Sequence, residues 1–187
     1  MRKIIVSNYV SLDGFFAGPN GEIDWFLWNE ETTQYSIELL NSIDTILFGR
    51  VTFELMAGYW PTPASAEENP IITNAMNNLP KTVFSKTLTK ADWNNTRLVR
   101  EIDKEEILKL KRESGRDIVI YGSGSIVSAF TKLNLIDDYR IFVNPVIIGN
   151  GKPLFKDLKE RINLKLLDTM AFGNGVVLLH YFGKAVT

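Results

Sequence analysis

Short apolar runs of strand length recur along the chain, and segments with the spacing of an amphipathic helix separate several of them. Runs rich in β-branched and aromatic residues and bounded by Gly, Asn or Asp are typical of strands. The first two thirds of the chain therefore predict strands at Ile4–Val10, Thr45–Phe48, Thr82–Phe84, Arg97–Val99 and Asp117–Tyr121. Helices are predicted between and after these strands, at Glu30–Leu40, Thr52–Ala57, Pro70–Leu79, Lys104–Glu113 and Ser123–Leu133.

The alternation of strands and helices predicts the fold class. Strand, helix and strand in succession favour right-handed crossovers and parallel strands covered on both faces. The last third is instead rich in β-formers, at Arg140–Ile148, Leu164–Met170 and Val176–Tyr181, with Gly173–Gly175 as a turn. We therefore expect a three-layer α/β fold: a mostly parallel, twisted sheet with helices on both faces and an antiparallel C-terminal hairpin.

Length and charge narrow the class of protein. The chain has 187 residues, a formal net charge of −1 and no cysteine. These values predict one domain over residues 1–187, without disulfides or a thiol nucleophile, and a cytoplasmic location. No basic field points to nucleic acid, no apolar stretch approaches the ~20 residues of a membrane helix, and no metal site is predicted from one histidine.

The segment from Tyr59 to Pro70 is expected to be a stiff loop.

Glycines, hydroxyls and cations follow three of the predicted strands. These residues are Gly49–Thr52 after one strand, Ser85 and Lys86 after another, and Gly122–Ser125 after a third. Parallel sheets bind ligands at the carboxyl ends of their strands, where helix N-termini favour phosphate. Taken singly, each is more typical of an ordinary turn, and Arg50 fits a surface ion pair as well as a phosphate ligand. Together they predict a site for an anionic nucleotide.

Several segments resemble a known family. They are Ser11–Gly14, Gly49-Arg50-x-Thr52, Val83–Ser85, Tyr121–Gly124, Leu135–Arg140 and Asn144–Phe155. The set is similar to the dihydrofolate-reductase-like superfamily, and within it to the reductase domain at the carboxyl terminus of bifunctional riboflavin-biosynthesis proteins. The resemblance covers nearly the whole chain and implies a dihydrofolate-reductase-like sheet.

By this resemblance, the chain is expected to bind NADPH and a small-molecule substrate. Arg50 and Thr52, beside Gly49, would hold cofactor phosphate, with Ser85 and Lys86 near the 2′-phosphate. The remaining expected cofactor contacts are Gly122, Ser123, Gly124, Ser125 and Ile126 along the pyrophosphate, and Tyr9, Phe16 and Ala17 around the nicotinamide. The implied activity is hydride transfer to a heterocyclic or imine-like substrate, similar to 5-amino-6-(5-phosphoribosylamino)uracil reductase.

Alternative functions remain at this point. Dihydrofolate reduction would need a carboxylate on the first helix, for which Glu30 or Glu31 is in the right neighbourhood. A protein that binds nucleotides and dimerises without catalysis is the third possibility. Asp13 and Glu30 are the candidate catalytic residues, since a proton must accompany the hydride. Lys152 is the one candidate for a substrate phosphate.

Two further residues carry expectations about the C-terminal sheet. His180 is interpreted as a packed or edge-strand residue rather than a catalytic base. Pro145 interrupts the run Arg140–Ile148, and proline within a strand indicates an edge or a bulge. Because an open edge favours aggregation, we expect a bulge or a partner subunit to cover it. The family resemblance implies association through the C-terminal strands, so a homodimer is predicted.

Overall fold

The computed structural model describes residues 1–183, in which strands and helices alternate. The strands are β1 (Ile4–Ser11), β2 (Phe15–Ala17), β3 (Ile43–Gly49), β4 (Lys81–Phe84), β5 (Thr96–Val99), β6 (Asp117–Tyr121), β7 (Asp138–Asn144), β8 (Lys152–Pro153), β9 (Lys165–Ala171) and β10 (Val177–Phe182). The helices are α1 (Glu30–Ser42), α2 (Arg50–Tyr59), α3 (Pro63–Glu68), α4 (Pro70–Asn78), α5 (Lys104–Arg112) and α6 (Gly124–Lys132).

The main sheet has eight strands in the order β5-β4-β3-β6-β1-β7-β10-β9. The pairs from β5 across to β7 are parallel, whereas β10 runs antiparallel to both β7 and β9. Strands β2 and β8 pair separately in a small antiparallel sheet. The predicted fold, a mostly parallel sheet with an antiparallel C-terminal hairpin, is confirmed.

Helices cover both faces of the main sheet, and the first residues of its central strand β1 are apolar on both sides. Every residue of β1 is buried. Ile4 and Val6 pack with residues of α5 and α6 in one core cluster, while Ile5, on the opposite face, packs with residues of α1, α2 and α4 in another. Alternate side chains of a strand point to opposite faces, so a stretch covered on both faces is apolar at successive positions, as Ile4, Ile5 and Val6 are.

Side-chain caps fix where two of the helices begin. Asn29 accepts from the amide of Thr32, whose hydroxyl accepts from the amide of Asn29, so α1 starts with a reciprocal capping box. Asp103 accepts from the amide of Glu106 at the start of α5. Within residues 1–183 the helices are all too short or too polar to cross a membrane.

Two expectations about local structure are wrong. The segment from Tyr59 to Pro70 contains α3, which begins at Pro63, a position where proline's fixed φ suits a first turn. Strand β7 ends at Asn144, so Pro145 follows the strand and interrupts nothing. Moreover, β7 lies between β1 and β10, and the edge on that side of the sheet is β9.

Candidate functional site

A cavity of about 1030 Å³ lies where the carboxyl ends of β1, β3, β4 and β6 meet. Parallel strands bring their carboxyl ends to one edge, so turns distant in sequence converge there. Of the residues expected to bind a cofactor, all but Lys86 and Ile126 line this cavity: Tyr9, Phe16, Ala17, Gly49, Arg50, Thr52, Ser85, Gly122, Ser123, Gly124 and Ser125. Ile126 is buried beneath the turn, 6% exposed.

The turns after β3 and β6 are joined by buried hydrogen bonds. The amide and the hydroxyl of Ser123 both donate to the Thr52 hydroxyl, at 2.9 and 2.8 Å. The Ser123 hydroxyl in turn accepts from the amide of Gly49 at 2.7 Å. These hydroxyls therefore hold the two helix N-termini side by side.

Strand β1 fixes the same turn from its other side. Asn8 accepts from the Gly122 amide at 2.6 Å. Gly122 has φ +57°, and a Cβ there would lie 2.7 Å from the Thr52 side chain. Glycine is thus required both for the left-handed backbone and for the close approach of α2.

Phe16 packs against the first residue of α6. A Cβ on Gly124 would lie 2.7 Å from Phe16 Cε1 and 3.0 Å from the Pro153 carbonyl oxygen. The small β2–β8 sheet is therefore seated directly on the start of α6, and its aromatic ring forms one wall of the cavity.

The two helix N-termini present a positive electrostatic environment to the cavity. Neither α2 nor α6 has an acidic residue in its first turn. The first-turn amides of a helix lack intrahelical acceptors, and the helix dipole places partial positive charge there. Ser125, in the first turn of α6, is exposed and lines the cavity. The pair of turns can bind an anionic group such as a pyrophosphate.

The cationic candidates differ in position. Arg50 lines the cavity and also donates to Glu54 at 2.8 Å, in a half-exposed i,i+4 pair. Lys86 lies outside the cavity lining and pairs with Glu101 at 3.4 Å on the surface. Ser85 lines the cavity, and its hydroxyl accepts from the amide of Leu88 at 2.9 Å. Arg50 is therefore the cation better placed for a cofactor phosphate.

The two candidate catalytic carboxylates lie outside the cavity lining. Asp13 accepts from the amides of Ile148 and Gly149, at 3.3 and 2.8 Å, and so ties the turn after β1 to the loop after β7. Hydrogen bonds from Ser11 and from these amides lower the pKa of Asp13. Glu30 is exposed at the first position of α1. Neither carboxylate is therefore among the residues that line the cavity.

The first helix contributes no carboxylate to the cavity. Its lining residues are Ser36 and Leu39, while Glu31 accepts from the Gly173 amide at 2.6 Å. Among residues 1–183, the one carboxylate in the lining is that of Asp157, beyond β8. The arrangement expected for gripping a pterin from the first helix is therefore not formed by the described residues.

Aromatic and aliphatic side chains form the remaining wall. Trp28 lies 4.6 Å from Tyr9 between ring centroids, and Phe26 stacks on Tyr9 at 5.2 Å. Leu55 and Met56 of α2 lie in the same lining. Trp28 lines the cavity, whereas Trp25, Tyr59 and Trp60 do not. Leu55 and Met56 could have been predicted from the helical periodicity of α2 only if the side of α2 that faces the cavity had been known.

Burial raises the pKa of two tyrosines at the cavity. It raises the pKa of Tyr9 above its ordinary value, against a smaller opposing effect of the Thr32 and Ser36 hydroxyls. It also raises the pKa of Tyr121, which the charge of Arg140 opposes only in part. Both phenols are therefore protonated at neutral pH and can donate hydrogen bonds.

Comparisons with known proteins match nearly the whole chain. The family model described as "RibD C-terminal domain" matches residues 2–178. The uncharacterised protein YyaP of Bacillus subtilis (strain 168) is 39% identical over 180 residues, covering 96% of this chain and 94% of its own. The 2,5-diamino-6-ribosylamino-4(3H)-pyrimidinone 5′-phosphate reductase of Aquifex aeolicus (strain VF5) is 22% identical over 209 residues, covering 93% of each chain. Enterococcus faecalis dihydrofolate reductase, solved with NADP(H), superimposes with a TM-score of 0.65 at 16% identity, covering 98% of this chain and 97% of that one.

Proposed function

Because this chain belongs to the RibD C-terminal domain family, we propose that it is an NADPH-dependent reductase of small heterocyclic or imine-like substrates. The fold is that of dihydrofolate reductase and its relatives. The name of the Aquifex aeolicus relative, a reductase of a pyrimidinone ribose phosphate, supports a heterocyclic substrate.

The described residues fit a nicotinamide dinucleotide. Its pyrophosphate would lie against the first turns of α2 and α6, which have free amides and no acidic residue. Glycine at position 124 leaves the start of α6 without a side chain beside Phe16. Arg50 would hold a cofactor phosphate, and Ser85 would lie near the 2′-phosphate. Tyr9, Phe16 and Ala17 would border the nicotinamide.

The chain's own contribution is to position, shield and hydrogen-bond. A bound NADPH would supply the hydride. The joined turns would hold the dinucleotide in one place, and the aromatic wall would exclude water from the reacting rings. A protonated tyrosine such as Tyr121 would donate a hydrogen bond to the substrate. Asp13 and Glu30, our candidates from the sequence, have no place in this proposal because neither lines the cavity.

One observation supports the proposal most strongly. Thr52 and Ser123 bond directly to each other, so two uncapped helix N-termini open onto the same cavity at a fixed separation. A pyrophosphate has two linked phosphates, so each phosphate can lie against one of the two N-termini.

An experiment on Ser125 tests the proposal. A Ser125→Glu substitution adds a carboxylate to the first turn of α6, where the helix dipole tolerates it but a pyrophosphate would be repelled. We expect NADPH affinity, measured by calorimetry, to fall by about tenfold or more, with no loss of melting temperature. The matched control is Ile71→Glu, in the exposed first turn of α4 away from the cavity. Unchanged affinity in Ser125→Glu, or no NADPH binding by the folded wild type, would contradict the proposal.

We also propose that the protein is a homodimer that associates through β9. Every residue of this edge strand is exposed, including Leu166, Leu167 and Met170, which are 51%, 47% and 42% exposed. Exposed apolar side chains on an unpaired edge favour association with another strand. A second β9 in antiparallel register would pair the edge and cover these side chains.

A further inference from the structure

One part of the cavity is lined by apolar and aromatic side chains, and we name it the apolar lobe: Tyr9, Phe26, Trp28, Leu39, Leu55 and Met56. These residues lie on the sheet face that carries α1 and α2. Trp28 and Leu55 are the most solvent-exposed of them, at 55% and 50%. Large apolar side chains exposed together beside a cavity indicate a ligand that covers them.

The charged side chains of the lining lie elsewhere. Lys132 ends α6, while Lys152, Lys156 and Asp157 belong to β8 and the segment after it. That segment packs on α6, since the amide of Lys156 donates to the Ser128 hydroxyl at 2.9 Å. It therefore faces the opposite side of the sheet from the apolar lobe.

Arg50 is the remaining cation of the lining. It begins α2 and is paired with Glu54 at 2.8 Å. Among the residues described, none of those forming the apolar lobe is charged. A phosphate placed among these apolar side chains would lose its water without gaining a cationic partner from them, which is unfavourable.

The polar groups at the base of the lobe come from neighbouring strands. Ser7 pairs in register with Tyr121 on one side and with Arg140 on the other, so the three side chains point to the same face. Ser7 and Tyr121 line the cavity. The Tyr121 hydroxyl makes no hydrogen bond to any residue in the described part of the chain, and the charge of Arg140 acts on it.

Arg140 lies beside Ser7 in the sheet, and its side chain is partly buried. Its Nε has no hydrogen-bond partner in residues 1–183, and its guanidinium lies 5.9 Å from the ring centroid of Tyr35. A partly buried cation whose charge acts on a free phenol favours a ligand atom that accepts a hydrogen bond and can gain negative charge. A carbonyl oxygen or an imine nitrogen has this property, and a cationic group does not.

We propose that the apolar lobe binds a planar, uncharged and unphosphorylated ring, with its body between Trp28 and Leu55 and its carbonyl or imine edge on the Tyr121 hydroxyl. This proposal gives the substrate class of the proposed reductase. Only the reduction step rests on the proposed function, since binding of the ring does not require it. Hydride added to the carbon of C=O or C=N leaves the π electron pair on the oxygen or nitrogen. Tyr121 hydrogen-bonds that atom, which takes its proton from solvent.

The test is equilibrium binding to the protein without cofactor, so that it is independent of turnover. Quinazoline-2,4-dione serves as the planar uncharged ring, and 5-amino-6-(5-phosphoribosylamino)uracil as the ring that carries a sugar phosphate. Binding is followed by calorimetry and by quenching of tryptophan fluorescence. We expect the dione to bind the wild type at least about tenfold more tightly than the phosphoribosyl compound. The opposite order, or no binding of the dione to folded protein, would overturn the inference.

Variants locate the binding in the lobe. Leu55→Arg should weaken the dione about tenfold and strengthen the phosphoribosyl compound, because it puts a cation beside the lobe. Ile71→Arg, at a position 58% exposed and away from the cavity, is the matched control and should change neither. Tyr121→Phe should weaken the dione by roughly three- to tenfold, the loss of one hydrogen bond. Equal effects of Leu55→Arg and Ile71→Arg would sink the proposal.

NADPH titration of the same samples separates this inference from the proposed function. If the dione binds as expected but NADPH does not bind, the reductase function fails and the ring site stands. If NADPH binds but the phosphoribosyl compound outcompetes the dione, the function stands and the inference on substrate class fails.

Discussion

The hydroxyl of Thr52 accepts two hydrogen bonds from Ser123, one from its amide and one from its hydroxyl, at 2.9 and 2.8 Å. Both residues are buried, and their contact joins β3–α2 to β6–α6 at the cavity. The contact spans 71 positions in the chain, so the spacing of the two helix N-termini depends on it.

Replacement of Thr52 by Val should therefore affect both stability and binding. The substitution keeps the shape but leaves the buried Ser123 amide and hydroxyl without their acceptor, at a cost of about 1–3 kcal/mol. We expect a lower free energy of unfolding in urea and a weaker affinity for NADPH. Thr33→Val in α1, where the threonine side chain makes no such bond, controls for the change of side chain. Equal stability of the two variants would mean that the contact does not hold the turns.

Removal of the Arg50 guanidinium should discriminate between the two dinucleotides. If Arg50 holds the 2′-phosphate, Arg50→Ala lowers NADPH affinity by roughly ten- to a hundredfold and changes NADH affinity little. Lys86→Ala removes a cation that pairs with Glu101 outside the cavity, and we expect it to be neutral. The measurement is calorimetric titration of each variant with each cofactor. Equal losses for NADPH and NADH would assign Arg50 to the pyrophosphate or to packing.

Glu30→Gln should leave turnover and the binding of antifolates unchanged. The side chain is exposed at the first position of α1, outside the cavity lining. The comparison variant is Glu31→Gln, which weakens the bond to the Gly173 amide and should lower thermal stability instead. Steady-state kinetics with NADPH and melting curves distinguish the two effects. A tenfold or larger loss of turnover in Glu30→Gln, by roughly 1.4 kcal/mol of barrier, would restore the carboxylate to catalysis.

The convergence of the strand ends was predictable from the sequence, and the use of each side chain was not. Alternating strands and helices predict that Gly49 and Gly122 meet at one sheet edge, since parallel strands share that edge. Whether Thr52 and Ser123 bind phosphate or each other depends on the distance between two turns, which local sequence does not determine. The position of Glu30 also depends on a detail of the fold. Asn29 caps α1, so the helix begins at Glu30, and this start leaves the Glu30 side chain exposed to solvent.

The sheet edge shows a second limit of sequence patterns. Pro145 lies within the predicted strand Arg140–Ile148 and therefore indicates an edge or a bulge. In the structure the strand has already ended at Asn144. In β9, residues on both faces are exposed. Alternating apolar and polar residues indicate a strand with one buried face. A strand without a buried face shows no such alternation. Trp28 and Leu55, far apart in sequence, likewise line one cavity only because of the fold.

The buried lysine of β4 predicts a rise of stability at alkaline pH. Lys81 Nζ donates to the carbonyls of Met76, Asn77 and Leu79, at 2.9, 3.2 and 2.7 Å. Burial lowers the pKa of Lys81 from 10.5 to about 8. Between these pH values the unfolded chain binds more protons than the folded one, so the free energy of unfolding increases with pH, by up to about 3 kcal/mol.

Lys81→Met should remove this rise, whereas Lys86→Met, at an exposed lysine, should keep it. The measurement is urea unfolding at several pH values from about 8 to 10.5, with the variant curve subtracted from that of the wild type. The subtraction removes the contribution of the other groups that titrate there. A difference that does not change with pH would refute the expected role of Lys81.

Charges placed on β9 should separate the proposed dimer. A double substitution, Leu166→Lys with Leu167→Lys, adds two positive charges to the edge strand of each copy and removes two exposed apolar side chains. We expect light scattering at micromolar concentration to give twice the chain mass for the wild type and a single-chain mass for the variant. Ile71→Lys, on the exposed face of α4, should leave the wild-type mass unchanged. A single-chain mass for the wild type would show that β9 stays unpaired in solution, and its exposed leucines would then need another partner.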